Sequence, residues 1–203
     1  DEQVKRLVQQ LEQSGELDRT LIIFTADHGE NLTEHNIYIA HHDPYEDVIK
    51  IPLIFYNPRL SAKRISSFVQ NIDIFPTILD FLKIPVPQNI DGKSLLPLIN
   101  GKSTKLRDVV FFDDNLFGKY SLRKSRRKLG VRFRNYKYIE TIRGKDQDIF
   151  KPIPVNYKVV KEELYDLNID SDEKNNIADE KKDVTSKLRK ILQDKIDSLA
   201  EKR

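Results

Sequence analysis

The chain has no cysteine, methionine or tryptophan among its 203 residues, and only seven glycines and four histidines. Without cysteine there can be no disulfide and no thiolate metal site, although the compartment stays open. No apolar run approaches the length needed to cross a bilayer, and no charged-then-apolar leader opens the chain. A start at Asp1 and the lack of any methionine suggest an excerpt of a longer product. The missing leader therefore leaves localisation unknown. The formal charge of +3 is small, so the molecule as a whole is no obvious polyanion binder. What is present is 38% apolar and 33% charged residues, enough for one substantial core and a small appended lobe.

The few histidines are gathered, not scattered. His28, His35, His41 and His42 all lie between two apolar runs, Leu21–Phe24 and Ile51–Tyr56. Thr20–Thr25 reads as a strand whose apolar residues are continuous rather than alternating, as in a parallel sheet with helices on both faces, and Ile51–Tyr56 as a second buried strand. Ahead of them, Val4, Leu7, Val8 and Leu11 recur at helical spacing and predict an amphipathic helix stopped at Ser14-Gly15. A helix, a short turn and a buried strand make half of an α/β unit. In such sheets ligands bind beyond the carboxyl ends of the strands, where Asp27-His28-Gly29 emerges.

Further along, Ile65–Val69 reads as a short strand, and Ile74, Phe75, Ile78, Leu79 and Leu82 as a helix starting near Asp73. Pro76 is tolerable in its first turn. Leu95–Ile99 forms a short helix ending at Asn100-Gly101, and Val109–Phe112 and Val131–Ile139 read as strands. Lys182–Lys202 is a final amphipathic helix burying Val184, Leu188, Ile191, Leu192, Ile196 and Leu199. Strands followed by one long helix suggest a separate α+β lobe from about Arg107.

Chemically, a carboxylate and an imidazole side by side at a strand end can hold a divalent cation, with glycine allowing a tight turn behind them. Two ligands alone make a poor site. Oxygen-only sites favour calcium or magnesium, whereas an imidazole tilts preference toward manganese or zinc. The alternative is that Asp27 caps the following turn and His28 is a surface residue. His41-His42 could hold an anionic substrate oxygen or form a solvated pair.

The ordered motifs go further. Thr25-Ala26-Asp27-His28-Gly29-Glu30, Thr33-Glu34-His35-Asn36, His41-His42, Tyr45-Glu46 and Ile51-Pro52-Leu53-Ile54 resemble the T-x-D-[HN]-G-E, G-E-H-G, Lys/His, Tyr-Glu and V-P-L-I segments of the sulfatase family. That family lies within the alkaline phosphatase superfamily. The likeness continues through Asn71–Thr77, Ile90–Leu95, Val131–Tyr138, Glu163–Leu167 and Asp172–Ala178.

The resemblance implies an α/β fold: the C-terminal part of an alkaline-phosphatase-like mixed sheet over residues 1–105, then a small antiparallel sheet with a long helix over residues 106–203. It implies metal-dependent hydrolysis of sulfate esters, with a small-molecule or saccharide sulfate ester as substrate. Asp27 and His28 would be metal ligands. His41, or its neighbour His42, would contact the ester oxygens or protonate the leaving group, a task that suits an imidazole. Glu34, His35, Tyr45 and Glu46 would support the loop. The metal would be calcium by family, with manganese or zinc as alternatives because of His28.

Two departures bear on this reading. The family's formylglycine nucleophile and two acidic metal ligands are not found here, so the chain reads as the distal part of an enzyme whose N-terminal half it needs as partner. Alone it is expected to be inactive, with apolar strand edges and faces exposed. Second, an Asp-His pair also occurs in the related phosphonate monoester and phosphodiester hydrolases, which is the alternative activity. Asn36, where glycine is usual, also tolerates positive φ.

A reading from another class rests on Lys119 to Lys137, where nine cations (Lys119, Arg123, Lys124, Arg126, Arg127, Lys128, Arg132, Arg134, Lys137) stand without an acid and with aromatics interleaved. That composition suits a polyanion-binding module or a basic flank that guides a sulfated polysaccharide. Nucleic acid is not expected as a partner, and no membrane segment is present in the chain.

Overall fold

The structure is a computed structural model and describes residues 1–115, 127–143, 153 and 157–201. In chain order the elements are α1 (Glu2–Gln13), β1 (Ile22–Thr25), α2 (Glu46–Ile49), β2 (Leu53–Tyr56), α3 (Ile74–Phe81), α4 (Leu96–Ile99), β3 (Val109–Asn115), β4 (Arg127–Phe133), β5 (Tyr136–Arg143), β6 (Lys158–Asp166) and α5 (Lys182–Glu201). They fall into two compact units, Asp1–Asp27 with Ile51–Arg107, and His28–Lys50 with Asp108–Arg203.

In the first unit α1 ends as its residues predict, with Gly15 in the left-handed region at φ +70°. Its apolar stripe does not face a core, because Val4 and Leu7 are exposed and Val8 and Leu11 half-buried. The two apolar runs do form strands, but they pair antiparallel in a two-stranded sheet, from Ile22 opposite Tyr56 to Thr25 opposite Leu53. Phe24 stays 45% exposed, Ile54 54% and Tyr56 42%. Helices on both faces of a parallel sheet are therefore not what these runs meet among the described residues. Ile65–Val69 is not a strand either. Among the described residues no strand pairs with it, and Ser67 Oγ accepts the Leu106 N–H at 2.9 Å.

Asp73 organises the rest of this unit. Fully buried, it accepts the backbone N–H of Gln70 at 2.8 Å and of Lys93 at 2.9 Å, and a two-pronged pair from Arg107 at 2.6 Å on each oxygen. A bidentate guanidinium and two N–H donors satisfy a buried carboxylate. Thr77 then bridges α3 to the start of α4, donating to the Asp73 carbonyl and accepting the Leu95 N–H.

The second unit is an antiparallel meander, order β3-β4-β5-β6, with α5 along one face. Alternation sends Leu129, Val131, Tyr138, Ile142 and Leu164 to that face, where Leu188, Leu192 and Ile196 of α5 meet them. Their four-residue spacing puts those three on one stripe. Each contributes roughly 1.5–3 kcal/mol by burial. The opposite face carries Ile139 and Tyr165 and packs against Tyr45. Gly130 is needed there, because a Cβ would overlap the Phe112 ring.

The expected strand Val131–Ile139 is two strands. Phe133 pairs with Tyr136 across a tight turn, in which Arg134 takes φ +55°. Asn135 is a turn residue, but it stands within an alternating run, and the left-handed position falls on Arg134 instead. Of the basic stretch, Lys119, Arg123, Lys124 and Arg126 lie outside the described residues.

Candidate active site

The histidine segment, residues 28–50, is laid on the sheet face opposite α5. Gly29 starts it: its N–H donates to the Val48 carbonyl at 2.7 Å, and a Cβ would run into the backbone carbonyl of Asp47. Only glycine allows so close a backbone approach. α2 therefore sits directly against the Asp-His-Gly turn.

Beside that turn, the His28 ring stacks on His41 with centroids 4.2 Å apart and planes 27° from parallel. His42 lies next to it, tilted, with its centroid 5.4 Å from that of His41. His28 Nδ1 is 2.8 Å from the Gly29 carbonyl oxygen. A carbonyl only accepts, so Nδ1 carries the proton and Nε2 is the acceptor nitrogen of the ring. Glu30 joins them, its carboxylate 3.7 Å from His41 Nδ1. His28, Glu30 and His41 offer one ligand atom each within 4.8 Å of one another. Two atoms bound about 2.0–2.2 Å from one ion lie at most about 4.4 Å apart, so this set fits a divalent ion after a small closure. Two imidazoles and a carboxylate suit zinc or manganese better than calcium.

Of the expected site residues, His28, His41 and His42 come together in this way. Asp27 precedes His28 in the chain, two residues beyond the end of β1, and is exposed. Glu30 was not among the expected site residues, although it closes the Thr25–Glu30 segment that resembles the family's T-x-D-[HN]-G-E motif.

The neighbours of the histidines are occupied structurally. Glu34 accepts the N–H groups of Leu32 at 2.7 Å and Thr33 at 3.0 Å, and such backbone donors, Thr33 foremost, hold its carboxyl below the usual range. His35 lies flat on Tyr45, centroids 3.6 Å apart, and burial lowers its affinity for a proton. Tyr45 donates to Glu163 at 3.1 Å, and burial with the Glu163 charge pushes the phenol up.

Beneath α2 runs a buried ion network. Glu46 accepts from Arg132 at 2.7 Å and Lys137 at 3.4 Å, while its N–H donates to Glu173 at 2.6 Å. Lys137 Nζ, 0% exposed, sits 2.7 Å from Glu173. Burial lowers the Lys137 ammonium and raises the Glu173 carboxyl, each opposed by the charge of the other. The network locks the start of α2 onto β4 and β5. Lys137 and Glu173 stand in two segments that resemble the family, Val131–Tyr138 and Asp172–Ala178, but nothing local in either says that they pair with each other under Glu46.

The same contacts bear on the basic stretch. Arg127 is bound to Asp113, Lys128 to Asp43 at 2.7 Å, and Arg132 and Lys137 to the carboxylates above. Tyr138 is core, and Phe133 and Tyr136 pack against it. These cations and rings are committed within the fold and form no stacking platform.

Residues 33–202 match the family profile described as N-sulphoglucosamine sulphohydrolase, C-terminal. Arylsulfatase K of Bos taurus is 32% identical over 203 residues, covering 95% of this chain and 34% of that protein. The N-acetylglucosamine-6-O-sulfatase of Bacteroides thetaiotaomicron is 31% identical over 196 residues, covering 95% of this chain and 32% of that protein. A solved complex of another protein with its substrate D-glucosamine-2-N,6-O-disulfate superposes with a TM-score of 0.77 at 28% identity, covering 96% of this chain and 37% of that one. The chain spans 10% to 34% of the length of the curated relatives named first among its matches.

Proposed function

The chain belongs to the sulfatase family, as its C-terminal region, and from that premise we propose that the intact protein hydrolyses sulfate esters with the help of a divalent metal ion. Its fold is α/β, and its structural neighbours are sulfatases of the alkaline-phosphatase-like fold. The observation that carries the reading is the stack of His28 on His41, which joins the Asp-His-Gly turn to the His41-His42 loop in one site.

In this reading Asp27 and His28 would hold the ion, Asp27 through its carboxylate and His28 through its imidazole. The ion when bound would offset charge on the sulfate oxygens. Calcium is the family expectation, while the His28 imidazole supports manganese or zinc. His41, with His42 as the alternative, faces the ester and donates a proton to the leaving oxygen. Glu30 lies beside His41 and can keep its ring oriented. The nucleophile, a formylglycine by resemblance, would come from outside these 203 residues. A sulfated saccharide is the substrate class favoured, supported by the N-acetylglucosamine-6-O-sulfatase and by the relative solved with a disulfated glucosamine.

The test is made on the intact protein with 4-nitrophenyl sulfate and a sulfated glucosamine. Chelation should abolish turnover and the metal should restore it. Asp27→Ala and His28→Ala should lose both metal and activity. His41→Ala should keep the metal while turnover falls about 10²–10⁴-fold, the range for a lost general acid. Full activity in Asp27→Ala, or loss of the metal in His41→Ala, would overturn these assignments. The Asp27-His28 pair keeps one second reading open, a phosphonate monoester or phosphodiester hydrolase. Faster turnover of a phenyl phosphonate ester than of the sulfates would favour it.

A further inference from the structure

The loop that carries His41 and His42 is held in a backbone conformation its residues do not prefer. Ile39, 81% exposed, has φ +49°, and Asp43 has φ +70°. A β-branched side chain in the left-handed region is a steric outlier that persists only where the surroundings impose it. Among the described residues nothing packs Ile39 into place, so the constraint is sought at the two ends of the loop.

At the leading end stands Asn31, fully buried. Its N–H donates to the Ala40 carbonyl at 2.9 Å, its carbonyl accepts the Ala40 N–H at 3.2 Å, and its Nδ2 donates to the His42 carbonyl at 2.9 Å. Its Oδ1 has no hydrogen-bond partner among the described residues. A buried amide that uses only its donor is there for that donor. At the trailing end, the Asp43 N–H donates to Asp114 Oδ2 at 3.0 Å, and the Asp43 carboxylate pairs with Lys128 at 2.7 Å. Asp114 and Lys128 face each other across the paired strands β3 and β4.

We propose that Asn31 and Lys128 are positioning residues that clamp the strained 39–43 loop at its two ends and so hold His41 against His28. Neither touches substrate; both act through the loop backbone. This rests on the reading in which His41 or His42 faces the ester. It also accounts for a loop of non-glycine residues at positive φ: relaxing it would swing the histidines away from the Asp-His-Gly turn.

The test uses Asn31→Asp, which keeps the shape and removes the donor, and Lys128→Met, which keeps the stem and removes the charge. In the intact protein kcat should fall about ten- to hundredfold in each, with bound metal at the wild-type level. The loss should be larger on phenyl sulfate than on 4-nitrophenyl sulfate, because the poorer leaving group depends more on a placed proton donor. A merely structural role would lower the folded fraction and affect both substrates alike. Hydrogen exchange at the Ala40 amide should quicken in both variants. If Asn31→Asp fails to fold, Lys128→Met decides. If the wild-type protein turns over neither sulfate, the functional reading fails and Ala40 exchange alone judges the clamp. Unchanged exchange, or equal losses on both esters, overturns it.

Discussion

Replacing Lys137 with methionine keeps an apolar stem in place but removes the ammonium that faces Glu173 at 2.7 Å and Glu46 at 3.4 Å. Lys137 and Glu173 are both buried in the unit core, so the carboxylate cannot turn to water. Breaking one side of such a pair costs about 3–5 kcal/mol, most of it the burden of an uncompensated charge. Glu173 has one relief, which is to take up a proton. Burial already raises its carboxyl, and a carboxyl raised on folding adds stability below its unfolded value that is lost as pH rises through the folded one. The deficit of Lys137→Met should thus be smallest near pH 4 and grow toward neutrality. Removing both charges, in Lys137→Met with Glu173→Gln, keeps an oxygen for the Glu46 N–H and should recover all but about 1–2 kcal/mol. Urea unfolding of the single and double variants at pH 5 and 7.5 measures this. A 3 kcal/mol loss moves the midpoint by roughly 1–3 M. A loss below about 1 kcal/mol that is the same at both pH values would mean Lys137 is solvated, and the buried network would have to be abandoned.

Two further predictions follow from the loop. Gly29→Ala should cost about 1–3 kcal/mol by overpacking against the Asp47 carbonyl and should lower turnover in the proposed reaction more than its thermal shift suggests, since α2 is pushed from the Asp-His-Gly turn. Wild-type stability and rate would show that the close approach does not exist. Burial holds His35 below its ordinary 6.5, so the stability it supports is present above that pH and lost as pH falls. His35→Phe keeps a flat ring on Tyr45 and should flatten the acid side of the melting-temperature profile. An unchanged profile would show that His35 is already solvated.

Much of the second unit is legible one element at a time. The stripe of α5 and the alternation of β4 and β5 follow directly from side-chain spacing, and the tight approach at Gly29 follows from the only residue type that permits it. The hairpin turn at Arg134-Asn135 was masked, because Asn135 stands within an alternating apolar run and the φ of +55° falls on an arginine, held there by the strands on either side. The antiparallel pairing of β1 and β2 was hidden too. An apolar run says that a strand seeks cover without naming which strand will pair with it.

The site divides in the same way. Four histidines within fifteen residues, the Asp-His-Gly turn and the Tyr45-Glu46 pair are local facts, and local order was enough to point to this segment. What the tertiary structure decided is who stands against whom. Glu30 came to face His41, Asn31 came to hold the His42 carbonyl, and Lys137 and Glu173, 36 positions apart in the numbering, closed under Glu46. Charged side chains look alike in a sequence, since each is as comfortable in water as the next. Only the fold removes the water, and only then does the identity of the nearest opposite charge carry energy.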